Sequence, residues 1–411
     1  MKIKYALLIS AAFATTHAVQ AQKITDKDIS FEFKRLPMEP IGVNFTNFQS
    51  QVQLNYLAEN AAKQAEYAQK VKEATARYEQ DLKEWELKDK EAEAQYQQEM
   101  EAYNKKSGAQ KLLEKKMLEE GKPTKKHVPQ PTMEVLPSPL LKKEFDANLL
   151  AASYLKLEGF SNTGENPVKI TTIINGFEPS TPTYKTQPTG ATVNGSPTMQ
   201  SFYETTYKFP MAVKVEVPGK GVVYNEQIAK FSQPTVAKVT PTGSFDQQKY
   251  LSELEEQAVV ENLKFINEML NDKYGFVKSN RKSIIYSVET KKVNYDDYAG
   301  AFENAIIGYN MLLNNKTEGT VKIQAAIAAW EKALTESNLS DKKARINANI
   351  TLVTRLNLAE AYLWVDDYAN AEMQLLKLNT LDPSRKQRAY AEELSKLVKD
   401  QKTRFDVNKN S

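Results

Sequence analysis

The amino-acid sequence predicts an α+β protein: a long N-terminal coiled-coil-like helix, a small antiparallel β domain, and a C-terminal α-helical bundle. Three observations predict it. From about Phe48 to Lys106 the chain is rich in Ala, Glu, Lys and Gln and contains neither Pro nor Gly, which favours one uninterrupted helix. Between about Leu149 and Val239 apolar residues recur every second position, as in half-buried strands. Finally, 14 of the 17 prolines fall between Pro123 and Pro241 and only Pro383 follows, so the last third is free to be helical.

Length and composition set the outer limits. The 411 residues are 41% hydrophobic and 26% charged, enough for two or three domains with real cores and too apolar for a disordered chain. A formal charge of +3 draws in neither nucleic acid nor an acidic membrane surface, so no nucleic-acid partner is expected. Residues 1–21 read as a secretory signal: Lys2 and Lys4, an apolar stretch from Tyr5 to Ala14, and short residues before Gln22. No later segment has the roughly 20 apolar residues that span a bilayer, so an integral membrane protein is not expected.

Residues 22–47 alternate Phe31 and Phe33 with Glu32 and Lys34 and carry Pro37 and Pro40, which suits an extended segment docked as an edge strand on a later sheet. Residues 48–121 form a helical arm with a short return helix after Ser107-Gly108. Six Glu-to-Lys/Arg pairs, from Glu59/Lys63 to Glu86/Lys90, lie four residues apart on its solvated face. The opposite face carries Leu54, Leu57, Ala61, Ala68, Val71, Tyr78, Leu82, Trp85, Ala92, Tyr96 and Tyr103 at coiled-coil spacing. Leu54, Leu57, Val71, Tyr78, Leu82, Trp85, Tyr96 and Tyr103 are the candidate partner-binding residues, because an apolar stripe of that length must be covered by something. Gln64, Thr75, Asp89 and Glu99 interrupt it.

Residues 122–143, with five prolines up to Pro139, read as a semi-rigid linker. Residues 144–293 form the β-rich domain, with strands expected at 154–160, 168–174, 212–217 and 283–292 and a long mobile loop from Pro179 to Pro197. A helix over 245–270 is inserted, opened by Ser244-x-x-Gln247 as a capping box.

Residues 294–411 are helical. Leu358-Ala359-x-x-Tyr362, then Tyr368, Ala371, Leu375 and Pro383, resemble the tetratricopeptide (TPR) consensus; Gly308, Ala326 and Trp330 suggest a looser preceding unit. The resemblance covers about 100 residues and implies small residues where helices approach, aromatic knobs around them, and a peptide-binding groove. Arg355 stands at the consensus Trp, and Ala326 to Ala371 is 45 residues where a TPR repeats at about 34.

Chemistry is scarce. With no cysteine and one histidine, His127, beyond the signal, neither a thiol nucleophile nor a multi-His zinc site is available. Phosphate-loop, dinucleotide and nucleophile-elbow motifs are absent. The pairs Asp296-Asp297 and Asp366-Asp367 suit helix capping better than catalysis. No catalytic residue, cofactor or metal site is therefore expected. The reading is an exported, non-enzymatic protein-interaction scaffold of a Gram-negative-type envelope. It would be periplasmic, with an outer-membrane-peripheral or secreted destination open, and would contact other envelope proteins or a second copy through the arm. The alternatives are a holdase-like chaperone, and a glycan-binding or carboxylate-based glycan-active protein in which Trp85 and the tyrosines form a stacking strip.

Overall fold

A computed structural model describes residues 22–409 apart from 43, 118–121, 140, 194–195 and 291–292; the expected signal at 1–21 lies outside them. The fold is α+β. In chain order its elements are β1 (Lys23–Arg35), β2 (Phe48–Leu54), α1 (Leu57–Lys105), α2 (Gly108–Met117), α3 (Ala147–Tyr154), β3 (Val168–Ile174), β4 (Glu178–Pro179), β5 (Thr183–Val193), β6 (Ser196–Lys208), β7 (Met211–Val217), β8 (Gly221–Gln227), α4 (Ala229–Ser232), β9 (Thr235–Val239), α5 (Gln247–Tyr274), β10 (Val277–Glu289), α6 (Asp296–Met311), α7 (Lys316–Leu334), α8 (Ala348–Trp364), α9 (Tyr368–Lys377) and α10 (Arg385–Asn408).

Two hydrophobic cores divide the work. The first lies between α5 and the sheet β2-β3-β7-β8, in which β2 runs parallel to β3 and the other pairs are antiparallel. In β7, Met211, Val213, Val215 and Val217 alternate inward, as the two-residue period requires, and meet Leu263, Ile266 and Leu270 of α5. The second core holds α6 to α10 together with the ribbon formed by β1 and β10, paired antiparallel along all thirteen residues of each strand. At its Arg35/Val277 end the ribbon joins the first core, β1 running on toward β2 and β10 following α5, and at the other end β10 leads into α6. Arg404 of α10, 3% exposed, clasps them by donating to Leu36 O (2.9 Å), Asp272 O (3.2 Å) and Asp272 Oδ1 (2.7 Å).

Several expectations change. Phe48–Leu54 is strand β2, so the long helix starts at Leu57, and Leu54 belongs to the body rather than to the arm. The stretch from Pro179 to Pro197 is strand over most of its length: β5 and β6 form a long hairpin with an irregularity between Pro188 and Thr192, and β6 also pairs with β4 and β9. The Thr and Tyr content suits strands, and pairing of β5 with β6 outweighs the turn-like composition there. Residues 155–160 are not a strand; they follow α3 as coil, with Leu155 and Leu157 buried in the first core. Asp246, not Ser244, caps α5, accepting from Lys249 N at 3.0 Å. The capping box belongs to α10, where Ser384 and Gln387 satisfy each other's backbone N–H.

Helices α6 and α7 cross at Gly308 and Gly319. A Cβ on Gly308 would sit 2.6 Å from Ile323 Cγ1 and 2.7 Å from Gly319 O, distances no real Cβ tolerates. Gly308→Ala should therefore lower stability: overpacking costs about 1–3 kcal/mol, against about 1 kcal/mol regained in helix propensity. A lowered urea midpoint is the expected result, and an unchanged or raised one would contradict so close a crossing.

Candidate functional site

The arm α1 runs for 49 residues, about 73 Å at 1.5 Å per residue. Between Asn60 and Glu93, among the described residues, its tertiary hydrogen bonds and ion pairs go to the Pro-rich residues 122–143, which lie back along it as a strap, while near its tip Lys111 of α2 donates to Asn104 O (3.4 Å). At the root, Asn60 Nδ2 donates to Lys142 O (2.7 Å) and Asn60 Oδ1 accepts from Lys142 N (3.0 Å), while Tyr56 Oη donates to Lys143 O (2.6 Å). Further out, Tyr67 Oη reaches Leu136 O (3.4 Å), Trp85 Nε1 donates to Val128 O (3.0 Å), and Lys125 pairs with Asp89 (3.0 Å) and Glu93 (3.3 Å). The order is antiparallel and the lengths agree: Tyr67 to Trp85 rises about 27 Å as helix, and Val128 to Leu136 spans about 25 Å as extended chain.

The strap corrects the premise that the stripe is bare. Val71, Tyr78, Leu82, Trp85, Tyr96 and Tyr103 are each half-buried, and Ala74 and Ala92 are buried. Leu57, 42% exposed, points away from the stripe. Asn60, Tyr67 and Met100 belong to it and escaped the sequence reading, whereas Ala61 and Ala68 are exposed. The seven-residue repeat assumed for a coiled coil drifts by about 20° per heptad from a straight helix, so the expected stripe slipped off the true one toward the N-terminus. Asp89, read as an interruption, is the partner of Lys125. Trp85 as part of a sugar-stacking strip is disfavoured too, because its indole N–H is engaged and its ring half-covered. Among the strap's own residues, Met133 (47% exposed) and Val135 (91% exposed) are left facing solvent, as are Leu87 of α1 and Leu112 of α2.

The residues of the TPR resemblance gather in the second core. Ala326, Trp330, Ala359 and Ala371 are fully buried, Tyr362 and Tyr368 nearly so, and Pro383 lines a groove between α9 and α10 with Leu376, Leu378 and Leu381. Helices α6 with α7 and α8 with α9 form successive hairpins. The thirteen-residue connection between α7 and α8, held by Arg345 on Asp297 (2.6 Å) and Glu336 (2.7 Å), accounts for the long 45-residue spacing. Asp367 caps α9 by accepting from Asn370 N at 3.1 Å; Asp297, in the first turn of α6, accepts from first-turn backbone N–H groups and is also held by Arg345.

The face that the first helices of the two hairpins, α6 and α8, share is occupied by the chain's own ribbon. Phe31 stacks on Tyr309 (5.0 Å) and meets Trp364 edge-on (5.3 Å), with Phe33 4.6 Å from Trp364. Asn357 of α8 accepts from Tyr286 N (2.9 Å) and donates to Tyr286 O (2.8 Å), satisfying ribbon backbone that a two-stranded sheet leaves open. Arg281 of β10 donates from Nε and Nη2 to Glu360 (3.1 and 3.0 Å), which also accepts from Trp364 Nε1 (2.8 Å) and Tyr390 Oη (2.7 Å). Arg281 reaches the more exposed Glu393 as well. Burial first, and the Glu360 charge second, push the Tyr390 hydroxyl well above its ordinary pKa. Asn357 and Glu360, polar within the otherwise apolar run Leu356–Leu363, were the sequence signal for this contact.

No protein-family model, curated protein or solved structure matches the chain. Among the described residues no helix is long and apolar enough to cross a membrane.

Two outcomes follow from these contacts. Glu360→Gln, which keeps shape but removes the charge facing buried Arg281, should cost about 3 kcal/mol, the lower end of the range for breaking a buried pair because Glu393 remains; chemical denaturation reads it. Asn60→Ala should speed hydrogen exchange and proteolysis of residues 128–143 while leaving the helical-bundle amides unchanged. Equal protection in both proteins would mean that Asn60 does not hold the strap.

Proposed function

We propose that this chain is an exported, non-enzymatic interaction scaffold of the cell envelope, with the braced arm as its contact element. The observation that carries the reading is the arm itself: a helix of 49 residues stiffened along its length by the strap instead of being folded onto the body. A hairpin of helix and extended chain extends the chain's reach while sheltering most of its own apolar stripe. The residues offered to a partner are then those left outward, Leu87, Leu112, Met133 and Val135, in place of the aromatic seam. Two of these, Met133 and Val135, lie on the strap and are exposed.

The TPR-like reading of α6 to α10 belongs to this proposal as a way of building the body, not as a peptide receptor, since the ribbon fills the face of α6 and α8. Sequential helix hairpins closed by α10, whose outer face is charged, fit a short capped stack. A holdase-like chaperone is the second reading, favoured by the scattering of apolar side chains along the arm.

Photo-crosslinkers placed at Leu87, Leu112 or Val135 in cells should capture a discrete envelope protein or a second copy, and one at Lys264 on the body should not. A ladder of many clients would favour the chaperone, and recovery of bare monomer from every arm position would refute the scaffold.

A further inference from the structure

The arm is joined to the body at two adjacent points, Tyr56 on the way out and Lys142–Lys143 on the way back, and both rest on α5 beside Glu255. That carboxylate is 7% exposed, and its Oε1 has no hydrogen-bond partner. The arm turns Tyr56 toward it. The strap brings Lys142, Lys143 and Glu144, of which Lys142 is drawn to Glu59 (2.8 Å) and Lys143 to Glu256 and Ser252 Oγ (3.5 Å). Helix α3, which also packs on α5, carries Asp146 and Tyr154 at its ends, with Asp146 engaged by Leu149 N at 2.9 Å.

We propose that Glu255 is a proton-operated latch at the root of the arm: neutral, it stays buried under the Tyr56 and Lys143 contacts; ionised, it draws in water and frees the arm to swing. The partner-less oxygen supplies the reason, because a buried charge without full hydrogen bonding is far costlier than a neutral carboxyl. Burial raises this carboxyl to about 7, against a smaller lowering by the Lys143 backbone N–H and by the Lys143 and Lys142 charges. The exposed carboxyl ionises in the ordinary range near 4.5. The preference for the closed root is therefore complete below that range and is lost as pH rises to about 7. The latch is a property of the root and is independent of what the arm contacts.

The chain has no cysteine, so Lys72→Cys and Lys264→Cys place two spin labels, one on the arm and one on the body, without background. The distance distribution in the full chain should be narrow at pH 5.5 and broad at pH 8.5, with the broadening complete by about pH 7. Adding Glu255→Gln should keep it narrow throughout, whereas Glu256→Gln, which removes the exposed partner of Lys143, should leave the transition in place. A distribution unchanged between pH 5.5 and 8.5, a transition that survives Glu255→Gln, or one abolished only by Glu256→Gln would each overturn the proposal. Circular dichroism at both pH values separates latch opening from unfolding.

Discussion

A single helix cannot hide its own apolar stripe, and here the rest of the structure follows from how that stripe is covered. Extended chain advances about twice as far per residue as helix, so some twenty strap residues brace roughly twice as many helical ones. Proline suits the task. It holds the strap extended and removes backbone N–H donors that would otherwise need partners against an apolar surface. The few polar contacts are placed where they fix register: Asn60 on Lys142, Tyr67 on Leu136, Trp85 on Val128 and Asp89 with Lys125.

The body answers a related problem. A two-stranded ribbon leaves both its faces and its outer edges unsatisfied, and β1 with β10 solves this by lying across α6 and α8. Phe31 and Phe33 supply the apolar contact, Asn357 the backbone hydrogen bonds, and the Arg281–Glu360–Tyr390 network a buried polar lock whose members satisfy one another. Because β1 leaves the ribbon toward the first core and Arg404 bridges the same junction, the two cores are coupled at the C-terminal end of α5, away from Glu255 and the root of the arm.

The same device recurs at both places: a segment that composition marks as connector or tail is recruited to cover an exposed helical surface. In the arm it is the strap, and in the bundle it is the N-terminal strand. Each closes, from within, a surface that would otherwise invite a partner. That moves the free apolar side chains to the outer rim, to Leu87, Leu112, Met133 and Val135.

Local patterns were legible. The Pro- and Gly-free run announced α1, alternation announced β3 and β7, and the small residues Gly308, Ala326, Ala359 and Ala371 announced close helix packing. What failed locally did so where tertiary pairing overrules composition, as in β2, whose Gln-rich pattern reads as helix until β3 is beside it, and in the β5–β6 hairpin, whose Thr/Pro/Gly content reads as loop. The distal stripe was found and the proximal one missed because a heptad was imposed on a straight helix. By itself, then, the sequence determined the long helix, the alternating strands β3 and β7 and the helical last third, since those elements rest on backbone propensity and periodicity. Only the tertiary structure decided that the linker is a strap and that the N-terminal strand fills the bundle's groove. Those contacts join residues as far apart as Asn60 and Lys142, or Phe31 and Trp364, and nothing within a local window marks such distant surfaces as complementary.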